Sequence, residues 1–501
     1  MTLGDRLSKT AKEYPGRTAL IHEGRKYSYK SLDDDAEGFA AGLASIGVRP
    51  GDRVALLLSN SPAFVTAYFG IVKAGASVVP LNTFLTAPEV SYILKDSGSS
   101  VLVTGPEFSK LLPSLKRNDL PLRHIVTAGP AMPGAVRMDE LIRKGQRAAR
   151  PDDETLPAAV LYTSGTTGHP KGAVLTHKNL LSNAMACATM FRVTKKDRFL
   201  LFLPMFHAFS FLVCVILPLC VGSSVIILPS IKPFSKVLKA VVFGRATFFV
   251  AIPQVYNILS TKKFPKLLMR LLPLRLCVSG AAPLPGDTLE RFSSRFPFPL
   301  LEGYGLTEAS PVVSCNPIFG EHRPGSAGLP IPGVTVKVVD GSGAELPAGQ
   351  VGEILVSGPS VMKCYLNNEA ATAEAIKDGW LYTGDLGYLD PDGYIYLVDR
   401  KKDLILVHGM NVYPREVEEV LYRHPAIAEA AVVGIPDSHS GEIPKAFIAL
   451  KEGARLTERE VKDYLKSSLA SYKTPRQVEF LERLPMTRTG KVLKRELKGR
   501  V

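Results

Sequence analysis

Eleven residues, Tyr162 to Gly172 in the order YTSGTTGHPKG, combine three glycines, four Ser/Thr hydroxyls, a lysine and a proline, with no large aliphatic side chain. Such a stretch adds nothing to a core, so its composition points to an anion or to a turn. The P-loop, G-x-x-x-x-G-K-[ST], cradles phosphate with backbone N–H groups and binds Mg2+ through its Ser/Thr. Here Gly165 and Lys171 have the P-loop separation, but Pro170 replaces the second glycine and Gly172 the Ser/Thr. Proline has no N–H to offer, so a Walker cradle fails at that point. Thr163, Ser164, Thr166 and Thr167 still supply hydroxyl donors, Gly165 and Gly168 allow close backbone approach, and Lys171 brings a positive charge. The stretch reads as a phosphate loop of another design; the same composition also suits a plain surface turn.

Four further islands share this composition. They are PMFHAF (Pro204 to Phe209), SGAAPL (Ser279 to Leu284) together with EGYGLTEASP (Glu302 to Pro311), GWLYTGDLG (Gly379 to Gly387), and PMTRTGKVLKREL near the C-terminus. In this order, after the first loop, they resemble the motif set of the adenylate-forming superfamily of acyl-CoA synthetases, adenylation domains and luciferases, most of all its fatty-acid:CoA ligases. The resemblance runs from the Tyr-Ser-Tyr region near residue 28 to Lys491. It implies a two-step reaction: a carboxylate attacks the α-phosphate of ATP to give acyl-AMP and pyrophosphate, and a thiol then displaces AMP to give a thioester. A carboxylate is a poor acyl donor until its oxygen becomes a good leaving group, and adenylation supplies that.

By this resemblance, Thr163 to Lys171 close over the β- and γ-phosphates and move to let pyrophosphate leave. Glu308 matches the Mg2+-associated carboxylate, a hard oxygen ligand at a triphosphate, and Thr307 matches the hydroxyl that contacts the α-phosphate. Tyr304, preceded by Glu302 and Gly303, is expected to lie flat on adenine, with Gly280, Ala281 and Ala282 as the other wall. Asp385 is expected to accept from both ribose hydroxyls, with Arg400 reaching the same sugar. Lys491 matches the catalytic lysine that bridges the attacking carboxylate and the α-phosphate, where one well-placed donor is worth roughly 10²–10³ in rate. Seen alone, each has an ordinary explanation: Glu308 as a helix-entry cap, Gly-Tyr-Gly and Gly-Asp as turns, Lys491 as part of a solvated basic face with Arg488, Lys494 and Arg495.

On the substrate side, amino-acid-activating relatives commonly place an Asp where this chain has His207, within Phe206-His207-Ala208-Phe209. The counter-charge for an ammonium is therefore missing and an α-amino acid is disfavoured; acyl- and aryl-CoA synthetases commonly have His here. A core histidine with its hydrogen bonds satisfied is the competing explanation. Lys402 aligns with the hinge about which the small domain rotates, withdrawing Lys491 and presenting the face around His408, Gly409 and Asn411 to the thiol. His408 departs from the basic residue that some plant relatives carry there.

The elements that must position these groups are legible in outline. Residues 18 to 30 read as a hairpin around Glu23-Gly24, followed by a helix capped by Ser31 with Phe39, Leu43 and Ile46 on its apolar side, and then by a strand from Arg53 to Leu58. Helix and strand patterns alternate to about residue 300, which argues for α/β layers with largely parallel sheet. AYFGIVKAGASVVPLN and FSFLVCVILPLCVGSSVIILPS both read as helix, Gly-rich turn and strand, suggesting a duplicated layer. The second is apolar enough to invite a membrane span, but Pro218 and Gly222-Ser223-Ser224 break it. From about residue 325 short alternating runs such as TVKVVD and GYIYLVD predict a mostly antiparallel β-subdomain. After the charged stretch Asp399 to Ile405, which also suits a solvated linker, the order is helix, strand, strand, helix. The expected architecture is α/β: a large N-terminal domain (1–401) of two layered α/β subdomains plus a β-rich subdomain, and a small mobile α+β domain (402–501).

At 501 residues with 46% apolar content the chain has material for a large core. Its formal charge of +14 is spread along the sequence without a nucleic-acid-binding signature, so no nucleic-acid partner is expected. Six cysteines show no zinc or redox spacing and suit reduced core thiols of a cytoplasmic protein, and the N-terminus lacks a secretory apolar region. No transmembrane segment is expected; peripheral membrane contact and a homodimer stay open. The sequence thus points to an AMP-forming acid:CoA ligase using ATP, Mg2+ and coenzyme A, acting on a medium- or long-chain fatty acid bound by the apolar stretch Phe209 to Leu228. The alternatives are an aryl acid of the coumarate or benzoate type, or adenylation for a separate carrier protein.

Overall fold

The computed structural model describes the whole chain except residues 116–118, 144, 147, 164–169, 263–271, 438, 487–491 and 501. Among the described residues two large sheets carry the N-terminal part. One has the strand order Cys364–Tyr365, Lys171–Thr176, Pro157–Thr163, Ser77–Pro80, Arg53–Leu57, Val101–Thr104, His124–Thr127, Val136–Arg137. The other runs Leu329–Pro330, Val312–Cys315, Leu300–Gly305, Leu276–Ser279, Phe248–Ala251, Arg198–Leu201, Ser224–Ile227, Thr18–His22, Arg25–Ser28. Both have parallel interiors; the second is antiparallel at both edges, while the first is antiparallel only at the edge carrying Cys364–Tyr365 and Lys171–Thr176 and stays parallel out to Val136–Arg137. Their inner strands are buried on both faces, which explains why VALL, SVVP and SVII are continuous apolar runs rather than alternating ones.

The duplicated helix-turn-strand grammar is realised once in each sheet. Helix Pro62–Lys73 leads through Gly75, whose φ is 76°, into Ser77–Pro80. The segments Ala208–Phe211, Leu212–Ile216 and Leu217–Val221 run on as a second apolar helix, with a π turn in the middle, ended by Gly222 at φ 83° before Ser224–Ile227. The widened π turn precedes Pro218, whose missing N–H would break a regular α ladder. No helix among the described residues is long and apolar enough to cross a membrane. These two helices pack on each other, with the rings of Tyr68 and Phe211 4.2 Å apart. Helix Pro62–Lys73 is pinned at its end by the fully buried ammonium of Lys73, whose Nζ lies 2.7 Å from Glu37 and 2.9 Å from Asp33.

One local expectation is corrected. The helix after the first hairpin spans Tyr29–Ser45 and is capped by Ser28, whose Oγ accepts from Ser31 N at 3.0 Å. Ser31 lies inside the first turn, because Ser28 already has the extended backbone of a cap (φ −76°, ψ 161°) and offers the oxygen three residues earlier.

The β-rich region is antiparallel as its alternation implied, with Thr335–Val339, Gly352–Ser357, Trp380–Leu389 and Ile395–Arg400 in one sheet. The 3-10 turn Lys401–Asp403 then leads to a last sheet ordered Met410–Val412, Ile405–Val407, Gly441–Leu450, Ile427–Asp437, with Gln477–Phe480 beside Gly441–Leu450. Helices Pro414–Arg423 and Glu458–Lys466 cover the face carrying Val432, Ala446 and Ile448, while Leu484 and Leu497 cover the face carrying Val433 and Phe447. Two hydrogen bonds tie this unit back across the turn: Arg415 Nη1 donates to Leu397 O at 2.9 Å and Arg415 N to Asp399 at 2.8 Å. All six cysteines are free, and five are buried.

Candidate active site

Strands Pro157–Thr163 and Lys171–Thr176, which flank the hydroxyl-rich stretch, pair antiparallel, with Thr163 opposite Lys171. Ser164, Gly165, Thr166, Thr167 and Gly168 lie outside the described residues. Its described base already makes a connection that no motif announced. The Lys171 ammonium sits over the ring of Tyr365, 5.4 Å from the centroid, and the Tyr365 hydroxyl donates to Glu308 Oε1 at 2.8 Å. Tyr365 is brought there because strand Cys364–Tyr365 pairs with Lys171–Thr176 and Leu366 N donates to Gly172 O at 2.7 Å. One tyrosine therefore links the loop lysine to the carboxylate from a motif more than a hundred positions away. Burial and the Glu308 charge push its phenol up.

Glu308 and Thr307 sit on the 3-10 turn Thr307–Ala309, directly after strand Leu300–Gly305, which carries Glu302, Gly303 and Tyr304. Buried Asn183 holds this turn: its Nδ2 donates to Ala309 O at 3.2 Å and Val312 O at 2.7 Å, and its Oδ1 accepts from Val312 N at 3.2 Å. No described residue hydrogen-bonds Glu308 Oε2. Among the described residues no cluster of three or more His, Cys, Asp or Glu side chains could hold a metal by itself. A lone carboxylate suits Mg2+, which is usually held by one or two carboxylates together with phosphate oxygens.

Tyr304 and Asp385 meet in the buried interior, the Tyr304 hydroxyl donating to Asp385 Oδ2 at 2.6 Å. Arg400 faces Asp385 across the pair of strands Trp380–Leu389 and Ile395–Arg400, its Nε 2.8 Å from Oδ1. Each carboxylate oxygen is thus held by one donor and keeps a lone pair for another.

The small-residue wall Gly280-Ala281-Ala282 follows strand Leu276–Ser279, with Ala281 at a left-handed φ of 68°. The close neighbour of Gly280 is the Phe209 ring: a Cβ at Gly280 would lie 2.8 Å from Phe209 Cζ. Glycine here makes room for a side chain of the PMFHAF island, which joins the wall to His207. Glu302 holds the same wall, its Oε1 accepting from Leu284 N at 2.9 Å. Burial pushes this carboxyl up to about 7. His207 caps the helix that begins at Ala208, its Nδ1 accepting from Phe209 N at 3.3 Å.

The C-terminal candidates divide. Lys491 lies outside the described residues; the residues around it, Met486 and Val492, form an antiparallel bridge. Lys402 sits on the turn Lys401–Asp403. His408 and Gly409 form the tight turn between Ile405–Val407 and Met410–Val412, at φ 50° and 77°, and His408 Nε2 is 3.1 Å from Ser440 Oγ. Both are exposed, along with Leu406 and Met410.

Tyr365, Asn183 and Phe209 are the residues that motif reasoning missed as site components. Phe209 closed a motif already singled out; Asn183 and Tyr365 sit in sequence that reads as an ordinary helix and an ordinary loop.

Comparison with known proteins shows the family. Residues 7–366 match the family model described as AMP-binding enzyme, and residues 416–491 match AMP-binding enzyme C-terminal domain. The chain is 37% identical to a long-chain-fatty-acid–CoA ligase of Bacillus subtilis (strain 168), covering 99% of this chain and 94% of that one. It is 38% identical to a feruloyl-CoA synthase of Amycolatopsis sp, covering 99% of both. The crystal structure of ATP-bound MatB from Rhodopseudomonas palustris overlays with a TM-score of 0.93 at 33% identity, covering 100% of this chain and 99% of that one. The apo structure of the same MatB overlays with 0.80.

Proposed function

The chain belongs to the AMP-binding enzyme family and is an AMP-forming acyl-CoA synthetase using ATP, Mg2+ and CoA, and from that premise we propose that its acid is hydrophobic, a medium- or long-chain fatty acid. The observation that carries the reaction is the convergence of Lys171, Tyr365 and Glu308 just after strand Leu300–Gly305, with Tyr304, Asp385 and Arg400 meeting near the end of that strand, four positions before Glu308. We assign the first group to the phosphates and the second to the nucleoside. Mg2+ would be held by Glu308 with the phosphates and would neutralise their charge.

The chain's own groups then have distinct tasks. Asp385 and Arg400 orient the ribose, Tyr304 and the wall Gly280-Ala281-Ala282 take the base, and the loop from Thr163 to Lys171 takes the departing phosphates. Thr307 lies one residue from Glu308, next to where the α-phosphate must come. The acid's carboxylate oxygen attacks the α-phosphorus as the bond to pyrophosphate breaks, with Lys491 neutralising the charge that builds there. His207 lies at the entrance to the apolar region and orients the carboxylate. In the second step the thiol sulfur attacks the acyl carbon and AMP leaves.

We assign 1–401 to the nucleotide and acid and 402–501 to a unit that turns about Lys402, bringing His408 and Gly409 toward the thiol. The higher overlay with the ATP-bound than with the apo form of MatB supports an arrangement of the two units that suits the first step. The lack of a carboxylate at position 207 supports an acid without an α-ammonium. Below it, the side chains of Leu161, Leu180, Phe211, Leu212 and Ile216 supply an apolar lining. A second assignment, an aryl acid, is favoured by the aromatic part of that lining and by the likeness to feruloyl-CoA synthase. AMP release with and without CoA, over aliphatic, aromatic and amino acids, tests both. Turnover of amino acids alone would overturn the assignment.

A further inference from the structure

Helix His177–Met190 follows strand Lys171–Thr176 without a break, Thr176 being both the last residue of the strand and the cap of the helix. Two of its asparagines, one turn apart, are buried and bond to backbone outside the helix. Asn179 Nδ2 donates to Pro359 O at 2.8 Å, while its Oδ1 accepts from Thr176 N at 2.8 Å. Asn183 donates from its amide to Ala309 O and Val312 O, and its oxygen accepts from Val312 N. With Val312 it exchanges bonds in both directions, as a residue of a neighbouring strand would.

Asparagine is a poor helix former, and Asn183 sits in mid-helix among the buried Leu180, Ala184 and Cys187, so the helix itself gives no reason for it. The reason lies in the turn that it meets. Ser310 stands at a left-handed φ of 70°, and its buried hydroxyl has no hydrogen-bond partner among the described residues, so the segment 307–310 depends on support from outside. Met362 N donates to Glu308 O at 2.8 Å and Lys363 N to Val174 O at 2.9 Å, which ties the approach to Tyr365 both to that turn and to the strand that begins at Lys171. Asn179 and Asn183 are the side chains that fasten this frame to the helix.

Resting on the ligase assignment above, we propose that Asn183 and Asn179 are positioning residues for the Mg2+-bound triphosphate. Through Asn183 the helix fixes the distance from Lys171 to the turn of Thr307 and Glu308, and through Asn179 the distance to the segment that delivers Tyr365. Tyr304, Asp385 and Arg400 are held by their own bonds to one another. Misplacing a reacting group by about 1 Å is enough to cost roughly 10²-fold in rate.

Two variants test this in the full chain. Asn183→Leu keeps the size and removes all three bonds. Asn179→Asp keeps the acceptor for Thr176 N at a helix N-terminus that favours a carboxylate, and removes only the donation to Pro359. Binding is read without turnover, as the rise in thermal midpoint given by ATP with Mg2+ and by AMP alone. Each variant should keep the native rise with AMP and show a reduced one with ATP and Mg2+, Asn183→Leu the more so. Acyl-AMP formation should fall roughly 10- to 100-fold in Asn183→Leu and several-fold in Asn179→Asp, while consumption of supplied acyl-AMP by CoA stays within about 2-fold. Where Asn183→Leu does not fold, Asn179→Asp decides. Equal losses with both nucleotides, equal losses in both half-reactions, or a fully native Asn179→Asp would overturn the proposal while leaving the ligase assignment intact. A native protein that releases no AMP with any acid would overturn both.

Discussion

The hydroxyl of Tyr304 lies 2.6 Å from one oxygen of Asp385 while Arg400 holds the other at 2.8 Å, so an aromatic ring and a carboxylate from segments eighty positions apart form one rigid unit. With the nucleoside assigned to this pair as proposed above, a group that displaces either residue should disturb both the base wall and the sugar contact.

Tyr304→Phe keeps the ring and removes that bond. A hydrogen bond to a charged group contributes about 2 kcal/mol, so KM for ATP should rise by roughly 10-fold or more, with a lower thermal midpoint. An unchanged KM for ATP would show that Asp385 does not need the phenol to hold its orientation.

Tyr365→Phe should act on the metal rather than on the nucleoside. Without the phenol, Glu308 loses its described donor and Lys171 keeps only the ring. The Mg2+ concentration giving half-maximal AMP formation should shift several-fold, while KM for the acid stays within about 2-fold. An equal change in both would place Tyr365 in general packing instead.

Glu302 makes stability depend on pH in a definite direction. Its carboxyl is pushed from 4.5 to about 7 by burial, so the folded chain keeps a proton that the unfolded chain has lost. The group therefore costs nothing below pH 4.5, and stability falls as pH rises toward 7, by about 3 kcal/mol in all. Glu302→Gln keeps the acceptor for Leu284 N and carries no charge. Its thermal midpoint should match the native protein at about pH 4.5 and exceed it above pH 7. Parallel pH profiles would sink the argument.

Lys491→Ala should nearly abolish formation of acyl-AMP, by about 10²-fold or more, yet still allow CoA to consume acyl-AMP supplied ready-made. Equal loss in both half-reactions would refute the assignment of two arrangements about Lys402. Those arrangements require Arg415 to release Leu397 and Asp399, so Arg415→Ala should change the two half-reactions unequally.

Neighbouring residues alone announced the layered α/β plan, the antiparallel region after residue 325, the helix, strand, strand, helix run over 414–466 and the islands that carry the chemistry, but not the hairpin 405–412 before that run or the strand Gln477–Phe480 after it. These are local properties: an apolar run of given length, a glycine at a helix end or an alternation of faces is written in neighbouring residues, as Pro62–Lys73 followed by Gly75 and Ser77–Pro80 illustrates. Even there, the choice between Ser28 and Ser31 as cap depended on a backbone angle that two similar serines do not reveal. It took the folded arrangement to show that Tyr365 joins Lys171 to Glu308, that Asn183 holds the turn after Thr307, that Gly280 is small for Phe209, and that the ring of Tyr68 packs on that of Phe211. Each of these depends on sheet register and on which helix faces which across a shared core, and a one-residue shift in pairing would turn the same side chains to the opposite face.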